Sequence, residues 1–373
     1  MTLIFFYLFL ICAVLQVAFY LVIFSSFAFS KDLEAAKSEN QPFVSVIIAA
    51  RNEAENLTLL IQKLNEQVYG NFEVCIINDR STDDSKEILE SLKEKYVWLK
   101  VLHIDFVPAT FNPKKYALQK GIAQASGEYL LFTDADCLPV STTWISSIMA
   151  KYKDNTAVIL GFSDYLAKGT LLNKLIRWDT FYTAVQYFSL AHVGFPYMGV
   201  GRNLSYKKSL FKKVGGFRKI ADITGGDDDL LIGKMATKEN TTYTYFFDSQ
   251  TISKPETTWE SWFKQKLRHL SVGVYYPLKV KFILGLLQFS FIFFYLLLFV
   301  LLILAYKIAI IATVYLFRIL TTWIILNRIA IKFYGKKRKR QLLSLMPIFE
   351  LFYVAYYIVV GIAALINRKV KWK

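Results

Sequence analysis

The first thirty residues, Met1 to Ser30, carry no charged side chain. A helix rises about 1.5 Å per residue, and roughly 20 apolar residues cross a bilayer core. A cleaved leader would open on a basic segment and hold a shorter apolar run. This stretch does neither and reads as a retained membrane helix. A second apolar block, Phe282 to Asn327, is broken only by Lys307 and Arg318. As one helix it would reach about 69 Å, twice a bilayer core, so it must turn back. Tyr306–Lys307 is the expected turn, giving two spans. A third stretch, 345–366, carries Pro347 and Glu350.

The charge sits beside these blocks. Of a formal net charge of +16, the part from Phe282 onward holds 13 basic residues and one acidic. That concentration argues for cytoplasmic topology and anionic lipid, and against a nucleic-acid footprint spread over a domain. Both the run Lys336-Lys337-Arg338-Lys339-Arg340 and the tail with Arg368, Lys369, Lys371 and Lys373 have a cytoplasmic character. One crossing between them would separate them. Two readings of 345–366 follow: a re-entrant or interfacial segment with Glu350 buried in protein, or an ordinary span with a basic tail outside. The expected layout is a membrane helix over 1–30, a linker over 31–42 and a cytoplasmic domain over 43–280. Two spans over 281–327, a basic loop over 328–344, the segment 345–366 and a tail over 367–373 complete it. Cys12, Cys75 and Cys137 are odd in number and far apart. They indicate neither a disulfide framework nor a zinc site, and a reducing cytoplasm suits them.

Between the blocks the pattern changes. Val44 to Ala50 is a continuous apolar run of strand length, as a buried parallel strand requires. Arg51-Asn52-Glu53 ends it, and Leu57, Leu60, Ile61 and Leu64 follow at helical spacing. Phe72–Ile77 is the next strand and stops at Asn78-Asp79, with Ser81 or Asp83 able to cap a helix. Trp98–Ile104 and Glu128–Thr133 are further strands around a helix at Tyr116–Ala125. This rhythm predicts an α/β, Rossmann-like doubly wound sheet, whose ligands bind outside the carboxyl ends of the strands.

Three acidic groups fall at such positions: Asp79, then Asp134-Ala135-Asp136, then Asp227-Asp228-Asp229 after Gly225-Gly226. An Asp-x-Asp aimed by a strand offers two hard oxygen ligands, which suits Mg²⁺ or Mn²⁺ shared with a diphosphate. Asp also favours plain solvated turns, and an acidic group suits a helix N-terminus. No Walker loop and no G-x-G-x-x-G is present, which disfavours NTPase and dinucleotide readings. Gln265, Arg268 and His269 share a face if helical; a basic helix against lipid headgroups is the other reading. His103 and His192 have no metal-like spacing and read as structural, and Cys137 as small packing. Leu171, Leu175, Trp178, Tyr182 and Val185 recur at helical spacing. They mark either an interfacial helix or a core helix.

The segments Ser45–Glu53, Asn78–Asp83, Lys115–Leu118, Gly127–Asp136, Gly215-Gly216-Phe217 and Gln265–His269 occur in one order. That ordered set resembles the membrane-bound family 2 glycosyltransferases, of the ceramide glucosyltransferase and cellulose synthase type, which have a GT-A fold. The resemblance covers residues 43–280, a nucleotide-binding half (43–140) and an acceptor half (141–280). It implies a nucleotide-sugar site with Arg51, Glu53, Asp79, Lys115 and Asp134 around the nucleotide. It also implies Asp136 as main metal ligand and Asp228 as catalytic base, with Asp227 in the neighbouring acidic place and Asp229 as rival. Gln265, Arg268 and His269 would lie at the diphosphate and acceptor end, His269 standing where the family usually has Trp. The implied activity is inverting, metal-dependent transfer of a sugar, UDP-linked, to a membrane lipid or lipid-linked glycan. Tethering at both ends suits a membrane-embedded acceptor. A processive polysaccharide synthase and a non-catalytic GT-A scaffold are the alternatives.

Overall fold

The apolar run at the head of the domain is strand β1, Val44–Ala50. Apolar on both faces, it has to be covered on both, as in a parallel sheet. In the computed structural model, which describes residues 1–31, 41–338 and 346–366, β1 runs inside a seven-stranded sheet. β2 (Phe72–Asp79), β3 (Leu99–Ile104) and β4 (Tyr129–Phe132) join it in the order β3-β2-β1-β4, all parallel. The remaining strands are β5 (Cys137–Pro139), β6 (Val158–Gly161), β7 (Ser163–Tyr165), β8 (Leu204–Lys207), β9 (Thr241–Thr244) and β10 (Thr251–Ser253). β8, antiparallel to β4, carries the sheet on through β6 to β9. β5-β10-β7 forms a separate three-stranded sheet.

Helices fill the connections where the periodicity placed them. Ala54–Asn65 buries Leu57, Leu60, Ile61 and Leu64, the four residues of its apolar stripe. They pack with Val46, Ile48 and Ile76 of the strands in one core. Pro at the first position and an Asn112 side chain that accepts from Lys115 N–H start the helix Pro113–Gln124. His103 is structural: its ring contacts Asn78 Nδ2 at 3.1 Å and Glu90 Oε1 at 2.8 Å. All three cysteines are free.

The chain forms two compact units. The sheet unit comprises residues 41–168 and 194–256 of the described chain. Residues 169–193 and those from 257 belong instead with the apolar helices, so the sheet unit is narrower than a 43–280 stretch.

Among the described residues, four helices of the second unit are long and apolar enough to cross a membrane: Thr2–Ala28, Leu278–Ile303, Ile308–Gly335 and Met346–Ala363. The turn between the second and third falls at Ala305 and Lys307, both at positive φ (51° and 46°). The segment with Glu350 is one continuous helix, Met346–Ile366. The basic residues Lys339 and Arg340, the tail from 367 and most of the 31–42 linker lie outside the described residues. Leu171–His192 is a core helix of this unit, with Leu175, Trp178, Phe181, Tyr182 and Val185 buried. Its composition is apolar nearly all round, which is why spacing alone left an interfacial alternative open.

The two most deeply buried charged groups of this apolar unit, Arg318 and Glu350, pair with each other. Arg318 is 0% exposed and Glu350 4%. The guanidinium donates through Nη1 to Glu350 Oε2 and through Nη2 to Gln16 Oε1 at 3.2 Å. Tyr295 OH donates to the same Glu350 oxygen at 2.5 Å. Gln16 Nε2 donates to Leu287 O (3.0 Å) and Ser290 Oγ (2.7 Å). Each of the four membrane-length helices thus supplies at least one side chain to a single network. An unpaired charge in this setting is costly, whereas a well-packed apolar replacement of the whole pair is tolerated. Arg318→Met or Glu350→Met alone should therefore destabilise the detergent-purified protein by about 3 kcal/mol or more. The double variant should lose less than either. Thermal unfolding of the four proteins checks this; strictly additive losses would contradict it.

Candidate active site

Because β1, β2 and β4 are parallel, their carboxyl ends lie along one edge of the sheet. Arg51 and Glu53 follow β1, Asp79 closes β2, and Asp134 and Asp136 follow β4. The loops after β1 and β2 hold each other. Asn52 Oδ1 accepts from Thr82 N–H (2.8 Å), and Asn52 N–H donates to Ser81 Oγ (2.9 Å). Glu53 N–H donates to Ser85 Oγ (2.9 Å), and Ala54 N–H to Asp83 Oδ2 (3.1 Å). Asn52 and Arg80 take positive φ (55° and 51°), a rare backbone region for residues with side chains. Much of Arg51-Asn52-Glu53 and Asn78–Asp83 therefore serves to shape the rim. Asp79 is 3% exposed. Its carboxylate accepts from Arg80 Nε (2.8 Å) and Nη2 (3.3 Å).

At the end of β4, ligand atoms of Asp134, Asp136 and Cys137 lie within 4.8 Å of one another. Asp136 accepts from Cys137 Sγ (3.3 Å) and Ser253 Oγ (3.2 Å). Burial lifts Asp136 above the usual carboxylate range, and the charge of Asp134 adds to the lift. Burial also keeps the Cys137 thiol protonated, well above its ordinary value, so it acts as a donor and leaves an oxygen-only ligand set. Glu53 joins the pair electrostatically. Burial lifts it to about 7, Asp136 and Asp134 add to this, and a 2.5 Å bond from Asn56 opposes it. Adjacent carboxylates resisting ionisation, with hard oxygens and no available thiolate, fit Mg²⁺ or Mn²⁺.

The third acidic group meets the second through a lysine. Lys114 Nζ contacts Asp134 Oδ1 at 2.9 Å and Asp227 Oδ2 at 3.2 Å. Gly225 and Gly226 have φ of 79° and 77°, and a Cβ on Gly226 would stand 2.6 Å from Leu230 Cδ1. That tight glycine turn delivers the three aspartates into the helix Asp229–Met235. Asp228 caps the helix, its Oδ1 accepting from Asp229 N–H (2.8 Å), while Oδ2 accepts from Gly201 N–H (2.8 Å). The helix-cap and cleft readings of this cluster hold together. Lys114, Asp134, Asp227 and Asp228 line one cleft with Thr133 and Tyr206. Burial lifts Asp228 to about 6, and Asp227 adds to this. Burial opposes ionisation of Asp227 too, but Lys114 and Lys115 outweigh it and hold that carboxyl low. Asp229 is buried, with Oδ1 accepting from Leu230 N–H at 2.7 Å.

The lysine in the cleft is Lys114, where the sequence reading put Lys115. Lys115 is 0% exposed and donates to Ile220 O (2.7 Å) and Ile223 O (2.6 Å). Two adjacent lysines on one helix start point about 100° apart; Lys114 makes the direct ion pairs with the carboxylates, while Lys115 acts on Asp227 from a greater distance. Gln265, Arg268 and His269 lie on the helix Trp259–Ser271, in the unit of the apolar helices.

Residues 45–215 match the sequence model described as glycosyl transferase family 2. The probable glycosyltransferase YdaM of Bacillus subtilis is 27% identical over 252 residues, 64% of this chain and 57% of that protein. A beta-monoglucosyldiacylglycerol synthase of Nostoc is 39% identical over 97 residues, 26% of this chain and 20% of the synthase. The chain thus spans little more than half, or less, of these relatives' lengths. The mannosyltransferase PcManGT of Pyrobaculum calidifontis, solved with GDP-Man and Mn²⁺, shares the fold. Its TM-score is 0.61 at 17% identity, over 90% of this chain and 99% of that one. Residues 45–215 are thus similar to a family 2 glycosyltransferase domain, and the fold is the GT-A fold that this mannosyltransferase shares.

Lys114 and Lys115 separate by experiment. Lys114→Met should keep the melting temperature within a few degrees and abolish nucleotide-dependent activity. Lys115→Met should lower the melting temperature, because it leaves two buried carbonyls without their donor. Paired melting curves and activity assays check this; the reverse pattern would restore Lys115 to the cleft.

Proposed function

We propose that the protein is an inverting glycosyltransferase that moves a sugar from a nucleoside diphosphate sugar to a hydroxyl of a membrane lipid or lipid-linked glycan. One observation carries the reading: Asp134, whose ligand oxygen lies within 4.8 Å of that of Asp136, lines one cleft together with Asp227 and Asp228, with Lys114 bridging Asp134 and Asp227. The family match supports it. When bound at Asp134 and Asp136, Mg²⁺ or Mn²⁺ supplies charge neutralisation for a departing diphosphate. The chain's own residues do the rest. Arg51, Glu53 and Asp79 stand on the rim to receive the nucleotide, and Lys114 bridges Asp134 and Asp227 and holds the Asp227 carboxyl low. Asp228 takes the proton from the acceptor hydroxyl as that oxygen attacks the sugar's anomeric carbon. A single displacement of this kind inverts the anomeric centre. Burial, with the charge of Asp227 added, keeps Asp228 reluctant to ionise and so makes it a stronger base. Gln265, Arg268 and His269 are proposed for the acceptor end, where His269 offers a phosphate a hydrogen bond in place of an aromatic stacking surface.

Four membrane-length helices and the name of the Nostoc relative support a lipid acceptor. Four spans would put the sheet domain and the basic 328–344 segment on one side, the cytoplasmic side by the excess of Lys and Arg. UDP-sugars are the first donors to test, and GDP-mannose is next because the solved fold relative carries it.

The test is to incubate the purified full-length protein with nucleotide sugars, Mn²⁺ or Mg²⁺ and membrane lipid extract, and to weigh the products. A lipid heavier by one sugar supports the proposal. A ladder of added sugars would favour a processive synthase. No consumption of any donor, with or without metal, would favour a non-catalytic scaffold.

A second outcome concerns pH. Asp228 works as a base only when ionised, and its carboxyl is lifted to about 6. kcat/KM should rise with pH and level off above roughly 6, falling about tenfold per unit below that. Asp228→Asn should lower kcat by about 10²-fold or more at every pH. A flat profile with a fully active variant would remove Asp228 from the base role.

A further inference from the structure

Arg202 belongs to no motif that the sequence singled out, yet its surroundings are built. The residues on either side are pinned. Gly201 N–H binds Asp228 (2.8 Å), and Asn203 Nδ2 donates to Phe162 O and Ser249 O, both at 2.7 Å. Arg202's own carbonyl accepts from Thr251 Oγ1 at 2.9 Å. Its guanidinium lies over the Tyr165 ring, 4.3 Å from the centroid, a contact that fixes a planar cation without using its N–H donors. Tyr165, Ser253 and Cys137 form one row across the three-stranded sheet, Ser253 pairing with Tyr165 on one side and Cys137 on the other. The Ser253 hydroxyl in that row holds Asp136. One small sheet therefore carries both the platform under Arg202 and the anchor of Asp136.

Nη1 of Arg202 is buried and has no hydrogen-bond partner among the described residues. A buried cationic donor left unmade is costly and asks for an explanation. The missing partner should be an anionic oxygen, because a guanidinium only donates. The acids beside it fit a divalent cation, and such cations share their shell with substrate phosphates. We propose that Arg202 is a donor-binding residue whose Nη1–H is given to an oxygen of the distal phosphate of the nucleoside diphosphate, the group that leaves with the charge. This rests on the glycosyltransferase reading above. Tyr165 is then a positioning residue, acting through the guanidinium it supports.

A purely structural Arg202, there to balance Asp134 and Asp136, would affect every ligand of the cleft alike. A contact to the distal phosphate affects only ligands that have one. The experiment is calorimetric binding of UDP, GDP, UMP and GMP, each with Mn²⁺, to the full-length protein and to Arg202→Met and Arg202→Lys. Melting temperatures are measured alongside. The expected result is a loss of about tenfold or more in diphosphate affinity for Arg202→Met. Monophosphate affinity should stay within about twofold, and Arg202→Lys should fall between. If Arg202→Met does not fold, Arg202→Lys carries the same comparison. Equal losses for diphosphate and monophosphate, or no loss for either, would overturn the proposal. Wild-type protein that binds neither diphosphate would overturn the glycosyltransferase reading itself, and this inference with it.

Discussion

Carboxylates crowd the carboxyl edge of the sheet, and their mutual repulsion governs how the surrounding residues are arranged. Burial makes Asp136 and Glu53 less willing to ionise, and the neighbouring charge of Asp134 adds to this in both. Lys114 relieves one flank by sitting between Asp134 and Asp227. The Cys137 and Ser253 donors satisfy Asp136 without neutralising it. In the proposed function, such a site gains from the arrival of positive charge, which would ready it for a divalent cation with a diphosphate. The glycine turn at Gly225-Gly226 and the interlocked loops after β1 and β2 then appear as supports. They hold acids at distances that a relaxed chain would avoid.

The unit of apolar helices solves the opposite problem with the same physics. Arg318 and Glu350 are buried away from solvent, and one network collects them with Gln16 and Tyr295. A smaller network repeats the device: Asp179 pairs with Lys266 and accepts from Tyr353 OH at 2.5 Å. It links the helices Leu171–His192, Trp259–Ser271 and Met346–Ile366 within that unit. Trp262 stacks on Tyr356 at 5.5 Å in the same place. The helix with Gln265, Arg268 and His269 is thus fastened to Leu171–His192 by an ion pair and to Met346–Ile366 by aromatic contacts of Trp259 and Trp262.

Much of this was legible beforehand. β1 can be read to the residue because a run apolar on both faces has one solution, and the membrane turn at Tyr306–Lys307 follows from bilayer thickness alone. Asp134, Asp136 and Asp228 were marked by strand ends and a Gly-Gly turn. The rest needed three dimensions. Lys114 and Lys115 are adjacent and chemically identical, and only helix phase tells them apart. Arg202 sits in a loop whose meaning comes from Tyr165 and Asp136, distant in sequence. The helix Leu171–His192 is apolar on most faces, so periodicity could not say whether lipid or protein covers it. Nor could it foresee that this helix and residues from 257 join the apolar unit.

The central claim is that Asp134 and Asp136 hold a divalent cation for a diphosphate. Mn²⁺ titrated into the full-length protein with UDP, followed by electron paramagnetic resonance, tests it most directly. Wild-type protein should take up Mn²⁺, and Asp136→Asn should weaken uptake by about tenfold or more while leaving the metal-free melting temperature equal or higher, since a repelling charge is gone. Unchanged Mn²⁺ affinity in Asp136→Asn would contradict the account.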